Sequence, residues 1–381
     1  MTILLLILIS CSLVFYLACG WFTWRFFKTS TETDVDFTPP VAILMSVCGL
    51  EPGAWENWSS FCQQDYPDYQ ILFGVTDPQD PAIALLEQLV TTYPDKVQVF
   101  PGLEPQGINH KDSNLNFLLQ KTEREVIIFA DSDIRVSSDY ISRVIAPLAN
   151  QEVGMVTCAF VGYNPRSLGA ALASFGRCFD FIPSLLIARF LDGGLKCAVG
   201  TTIATRKSAL AKYGGLHLNR IGSDYNLGKR AAEAGYKVEL SSYVLESDTG
   251  EEGIKDVYQR ELRWARTIRF NRGLQYYTMA FCYGSVYCLP LLIVSSFANW
   301  AIPYGFSGAI TVVLVTWLIR YIQVLISILT IKTPRLLLWL WALPLRDLLS
   351  FLVWLIGCFG QEVYWRGRKL KIEGDGIIKE S

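Results

Sequence analysis

Residues 125–136 read EVIIFADSDIRV, a short apolar run rich in β-branched side chains that ends in two aspartates separated by one serine. Runs of this length and composition form buried strands. In open α/β sheets, the groups that meet ligands stand just past the carboxyl ends of such strands. Asp131 and Asp133 are therefore expected to leave the sheet together at its rim. Two carboxylates at this spacing can share one divalent cation, which in turn can hold a diphosphate. An isolated DSD also makes an Asx-type turn with no ligand, so the surrounding chain has to decide.

Outward from this stretch, residues 41–269 alternate strand-like and helix-like segments. Val41–Val47, Gln70–Val75, Val97–Phe100 and Val126–Ala130 read as strands, with helical stretches near 54–64, 81–93 and 110–121 between them. Such alternation implies βαβ units and a largely parallel sheet, an α/β fold class. Further strands are expected at Val153–Phe160, Val199–Thr205 and Val238–Ser241.

Apolar segments flank this region. Residues 2–24 form an uncharged run followed by Arg25 and Lys28. The run is long enough to span a bilayer, and its charges follow the apolar part, as in an anchor and not a signal peptide. The positive-inside rule then puts the following domain in the cytoplasm. Met279–Trp300 and Phe306–Ile331 are also apolar, as is Pro334–Gly360 apart from Arg346 and Asp347. Those two charges belong at an interface or inside a helix bundle, because charge at a bilayer centre is costly. Four full spans would leave Arg366–Lys371 outside, so one C-terminal segment is expected to re-enter or lie flat. The resulting division is an anchor (1–28), a polar linker (29–40), an α/β domain (41–270), a membrane region of two or three segments (271–365) and a tail (366–381).

Composition narrows the function. The chain has 381 residues, 51% of them hydrophobic, and 34 basic against 35 acidic side chains. Its mean hydropathy of +0.29 is high for a purely soluble enzyme, and the balanced charge lacks the basic footprint of a nucleic-acid binder. Ten cysteines without a CxxC pair indicate neither a disulfide framework nor a zinc site. With only His110 and His217 present, a multi-histidine metal site is excluded.

Four further constellations carry possible chemistry, each with a structural alternative. Asp77 ends the second strand, where a carboxylate holds a nucleotide's ribose or base, or simply makes a turn. Lys111 and Asn114 open a helix at which backbone amides favour phosphate, although capping residues look the same. Asp224 lies in the first turn of a helix, either as a general base or as a favourable end charge. Arg260, Arg263 and Trp264 form RELRW on an amphipathic helix, read as an interfacial anchor or as a cap over a departing diphosphate.

In this order, VTDPQDPAI, GINHKDSNL, ADSDIRV, KCAVGTT, SDYNLGKRAAEAGY and RELRW resemble the membrane-bound family 2/21 glycosyltransferases of the ceramide glucosyltransferase branch. Hopanoid-associated bacterial glycosyltransferases belong to the same branch. The resemblance covers about residues 45–270. It implies a GT-A fold with a nucleotide-sugar-binding, Rossmann-like sheet, a UDP-sugar donor and a membrane lipid acceptor. It implies inverting transfer of a hexose, with glucose to ceramide favoured and N-acetylglucosamine to a hopanoid as the alternative. A processive polysaccharide synthase and a non-catalytic nucleotide-sugar-binding membrane protein are the remaining rivals. The resemblance assigns Asp77, Lys111, Asn114 and Asp131 to the donor, and Asp131 with Asp133 to Mn2+ or Mg2+. It makes Asp224 the base, has Arg263 and Trp264 close over the donor with Arg260 supporting the leaving phosphate, and puts Lys196 and Cys197 on the acceptor side. Some ceramide-type members have glycine where this chain has Asp133, and many have an acid where it has Ser223.

Overall fold

A computed structural model of the chain describes residues 1–29, 37–248, 250–297 and 305–380. Most of the linker expected at 29–40 lies outside the described residues. The chain divides into a sheet unit of residues 31–163, 188–248 and 370–381, and a helical unit of residues 1–30, 164–187 and 249–369.

In the sheet unit the strands are β1 (Val41–Val47), β2 (Tyr69–Val75), β3 (Val97–Phe100), β4 (Val126–Ala130), β5 (Ile134–Arg135), β6 (Val153–Tyr163), β7 (Thr202–Arg206) and β8 (Lys237–Asp248). They form one sheet in the order β3-β2-β1-β4-β7-β6-β8-β5. The first four strands run parallel, and helices Ala54–Cys62, Ala82–Thr92 and His110–Gln120 connect them. β4 is apolar along its whole length and β1 is so except for Ser46, because both faces of a parallel sheet are covered. β7 runs antiparallel between β4 and β6. It begins at Thr202, three residues later than expected, which leaves residues 197–200 as a loop. β6 and β8 outrun their apolar cores. They stay paired to Tyr163 and Asp248 through two register shifts, and a bulge of this kind is invisible in an alternation pattern. The expected tail is ordered too: Arg368–Ile372 and Ile378–Glu380 pair antiparallel, with Ile372 opposite Ile378.

The helical unit holds helices long and apolar enough to cross a membrane. Among the described residues there are four: Thr2–Thr29, Leu168–Leu191, Gly305–Ile331 and Pro334–Gly357. Leu168–Leu191 is a correction, since its polar residues hid it. Arg177, Asp180 and Arg189 interrupt the run, yet most of it is buried within the protein. The stretch expected at 279–300 resolves into a 14-residue helix, Gly284–Phe297, with residues 298–300 outside the described set. The helix follows Ile254–Cys282 with a bend of 55°, and the two together are long and apolar enough for a broken span or a re-entrant loop. Arg346 and Asp347 lie inside the bundle, where Arg346 Nη1 meets Glu261 Oε1 at 2.6 Å and Arg320 Nη2 meets Asp347 Oδ1 at 2.6 Å. Asp180 completes the chain of charges, 2.8 Å from Arg320 and 3.2 Å from Arg346.

Candidate active site

The acidic strand ends fall on one edge of the sheet. β2 and β4 flank β1, with Val75 opposite Val47 and Ala130 opposite Met45. Asp77 and Asp131 therefore leave the carboxyl edge one strand apart, where open α/β sheets hold their ligands. Asp77 is exposed, and its Oδ1 accepts the Gln79 N–H at 2.9 Å in an Asx turn. The DSD segment is fixed through its backbone. Asp131 N–H donates to Thr201 O at 3.0 Å, and Ser132 O accepts from the buried Trp58 Nε1 at 3.1 Å. Asp131 and Asp133 remain half-buried at the rim.

Lys111, in the first turn of its helix, forms an ion pair with Asp131 and reaches Gly200 O at 3.4 Å. Burial pushes the Lys111 ammonium down, but Asp131 outweighs it and holds the group charged, above its ordinary value. Asn114 takes a different place from the one expected. It is buried, its Nδ2 donates to Ser46 Oγ at 3.1 Å and Gly74 O at 3.3 Å, and its Oδ1 accepts from Thr76 Oγ1 at 3.2 Å. Asn114 thus braces the ends of β1 and β2, with its amide engaged inside the fold.

Asp224 opens the helix Ser223–Glu233 and reaches the same place from the other side of the chain. Burial pushes its carboxyl up, while the N–H groups of Tyr225 and Gly200 and the Lys111 charge pull it back. Gly200 is there for space: a Cβ at position 200 would come within 2.8 Å of Asp224 Oδ2. The KCAVG segment acts here through its backbone. Cys197 is buried against the Ser223–Glu233 helix at Gly228, and Lys196 is exposed. Lys111, Asp112, Phe129, His217, Ser223 and Asp224 line one cleft.

Asp112 belongs to this group and was not foreseen, because its spacing is that of an ordinary capping residue. Its N–H donates to Asn109 Oδ1 at 3.1 Å and its Oδ2 accepts from Asn109 Nδ2 at 3.0 Å. Only 3% exposed, the carboxyl is pushed by burial from its ordinary 3.8 up to about 7, with Ser223 and Lys111 opposing the rise. A carboxyl raised in the folded state contributes stability that is present below about pH 4 and lost as pH rises through 7. Asp112→Asn should therefore match the wild type in thermal unfolding below about pH 4, exceed it increasingly as pH rises toward 7 and level off above that, with a ceiling of roughly 4 kcal/mol. Melting curves at several pH values check this.

Arg260, Arg263 and Trp264 lie on the helix Ile254–Arg272 of the helical unit. Arg260 pairs with Glu252, and its guanidinium sits 5.3 Å from the Trp264 ring centroid. Its Nε and Nη2 are buried and have no hydrogen-bond partner among the described residues, a donor pair suited to an anion. Arg263 stacks 5.6 Å from the Trp365 ring centroid.

Asp131 and Asp133 fit a hard divalent cation by donor chemistry. No three His, Cys, Asp or Glu side chains converge among the described residues, so the protein alone builds no cage. Mg2+ is ordinarily held by one or two carboxylates, with substrate phosphates and water completing its shell. The Lys111 ammonium already rests against Asp131, which shows that this carboxylate accepts a cation.

The sequence profile of Glycosyl transferase family 21 matches residues 4–378. The chain belongs to that family. This family 21 chain is similar to ceramide glucosyltransferase 3 of Caenorhabditis elegans, at 23% identity over 60% of the chain and 50% of the relative. It is similar to ceramide glucosyltransferase 1 of the same organism, at 22% identity over 94% of the chain and 78% of the relative. It also resembles a beta-monoglucosyldiacylglycerol synthase of Nostoc sp., at 24% identity over 63% of the chain and 51% of the relative. The chain thus spans about half the length of the first and third of these relatives. Among solved structures, a mannosyltransferase from Pyrobaculum calidifontis, determined with GDP-Man and Mn2+, superposes with a TM-score of 0.56. That match has 16% identity and covers 87% of this chain and 99% of that one. The family 21 chain therefore has the GT-A glycosyltransferase fold expected from its motifs.

Proposed function

We propose that this protein transfers a hexose, with glucose favoured, from a UDP-sugar to the hydroxyl of a membrane lipid, with inversion at the anomeric carbon. The observation that carries the reading is the juxtaposition of Asp224, Gly200, Lys111 and Asp131 at the carboxyl edge of the sheet. Relatives whose names pair a glucosyl group with ceramide and with diacylglycerol support glucose as the sugar and a lipid hydroxyl as the acceptor.

In this mechanism the acceptor oxygen attacks the anomeric carbon while Asp224 takes its proton. The bond from that carbon to the diphosphate breaks, and UDP leaves with the electron pair. A raised carboxyl suits this role, because a base whose pKa approaches the working pH accepts a proton more readily. Asp77 stands one strand away to meet the uridine part. Asp131 and Asp133 are the residues that would hold Mn2+ or Mg2+, and the chemistry such an ion supplies is neutralisation of charge on the departing diphosphate. Lys111 holds Asp131 in place at the same edge. The RELRW motif enters by family resemblance, and the unpartnered Arg260 nitrogens favour a phosphate ligand. A hydrophobic acceptor stays in the bilayer, which accounts for apolar helices in the same chain. The positive charges after the first apolar run support a site on the cytoplasmic face.

The test incubates protein in lipid nanodiscs with UDP-glucose, UDP-N-acetylglucosamine or UDP-galactose and total membrane lipid, and weighs the products. A hexosylated lipid formed with UDP-glucose is expected. UDP release without any lipid product would overturn the reading. Removing divalent ions with EDTA should lower transfer at least roughly tenfold, with recovery on adding Mn2+ or Mg2+.

A further inference from the structure

The loop that delivers Asp224 is held from both sides. On its inner side, Asn109 N–H donates to Leu218 O at 2.8 Å, Ile108 N–H to Asn219 Oδ1 at 3.0 Å and Asn109 Nδ2 to Arg220 O at 2.9 Å. These bonds join the loop to the segment that carries Lys111. The approach is so close that a Cβ on Gly107 would come within 2.6 Å of Leu218. On its outer side the loop pairs with residues 375–378. Ile221 N–H donates to Gly376 O at 2.9 Å, and Ile378 N–H donates to Asn219 O at 3.0 Å. Arg220 Nη1 binds Asp375 Oδ2 at 2.6 Å and also its carbonyl.

Residues 216–222 are thus the middle member of a three-layer clasp, with the donor-side loop inside and residues 375–378 outside. The outer member is itself anchored, since Ile378 is 1% exposed and pairs with Ile372. Two backbone bonds plus a guanidinium clamp are a specific connection; a half-exposed ion pair alone would contribute little. Only Gly222 and Ser223 separate Ile221 from Asp224, so a shift of the loop moves the carboxyl.

We propose that residues 375–378 are positioning residues: they hold the loop at 218–221 in register and thereby set the place of Asp224 relative to Lys111 and Asp131. This rests on the reading of Asp224 as the base, and the test separates the two. Ile378→Pro removes the N–H that reaches Asn219, and Arg220→Met removes the clamp while keeping the Arg220 carbonyl. Both are made in the full chain. Amide hydrogen exchange at Asn109 and Ile221 reads the clasp without any turnover. Steady-state kinetics with UDP-glucose read its consequence.

Exchange at both amides should rise at least tenfold in Ile378→Pro, and less in Arg220→Met. In Ile378→Pro, kcat should fall tenfold or more while KM for the donor moves less than threefold. Unchanged exchange in both variants would overturn the clasp. Raised exchange with unchanged kcat would overturn its positioning role. An equal fall in kcat at every site of the fold, tracking melting temperature, would also overturn that role. If instead Asp224→Asn keeps full transfer, the base assignment fails, and the exchange data still judge the clasp.

Discussion

Replacing Asp224 by asparagine should lower kcat on the order of 100- to 10,000-fold while UDP-sugar binding stays within a few-fold of wild type. Asparagine keeps the size of the side chain and its contact with Gly200, and it can still accept the N–H groups of Tyr225 and Gly200. What it loses is the ability to carry away a proton. The wild-type rate should also depend on pH in a definite direction. Burial raises the Asp224 carboxyl, and the base must be ionised, so activity falls as pH drops through that raised value. The asparagine variant should lose this acidic limb. Isothermal titration with UDP-glucose, together with kcat measured across pH, checks both parts. A variant that binds donor normally and transfers at the wild-type rate would remove Asp224 from the mechanism.

The second large effect lies in the helical unit and concerns folding. Arg346 donates from Nη1 to Glu261 Oε1 at 2.6 Å and Oε2 at 2.8 Å, and from Nε to Asp180 Oδ2 at 3.2 Å. Arg346 and Glu261 are 5% and 8% exposed. Arg346→Met should therefore cost about 3–5 kcal/mol, because it leaves a buried carboxylate without its cation. The double variant Arg346→Met/Glu261→Met should recover most of that loss, since a buried ion pair gains little over apolar packing of similar volume. Asp180 keeps Arg320 in both variants. The fraction surviving heating in detergent, read by size-exclusion chromatography, checks the order: wild type and double variant close together, single variant well below. A double variant as weak as the single one would refute the pairing argument.

The parts of this fold that lay in the sequence are those governed by local pattern. β1 to β4 are short apolar runs bounded by turn residues, and their helices follow the same logic, so their places and the exit of Asp77 and Asp131 could be read directly. The missing parts are set by distant partners. Leu168–Leu191 does not look like a long apolar helix until Arg320 and Arg346, well over a hundred residues further on, neutralise Asp180. Residues 368–380 look like a polar tail because their strands are short and meet Asn219 and Ile221 only in the folded chain. Within the site, Asp224 was legible from its neighbours in order, whereas Asp112 carried the mark of a helix cap and nothing else. Asn114 shows the reverse: a residue at a phosphate-facing position whose amide the adjoining strands had already engaged. A motif position states which residue is present, and only packing states which of its atoms are free.

The charges shared by Arg320 and Asp347 also bear on how the protein is made. They sit on consecutive apolar helices, Gly305–Ile331 and Pro334–Gly357, and meet at 2.6 Å. Either helix entering hydrocarbon by itself would carry an unpaired charge, at about 2.5–3.5 kcal/mol on insertion scales. Entering as a hairpin, the two arrive already neutralised. Were both helices to cross a bilayer, entering together would avoid that cost, so the ion pair favours their joint insertion.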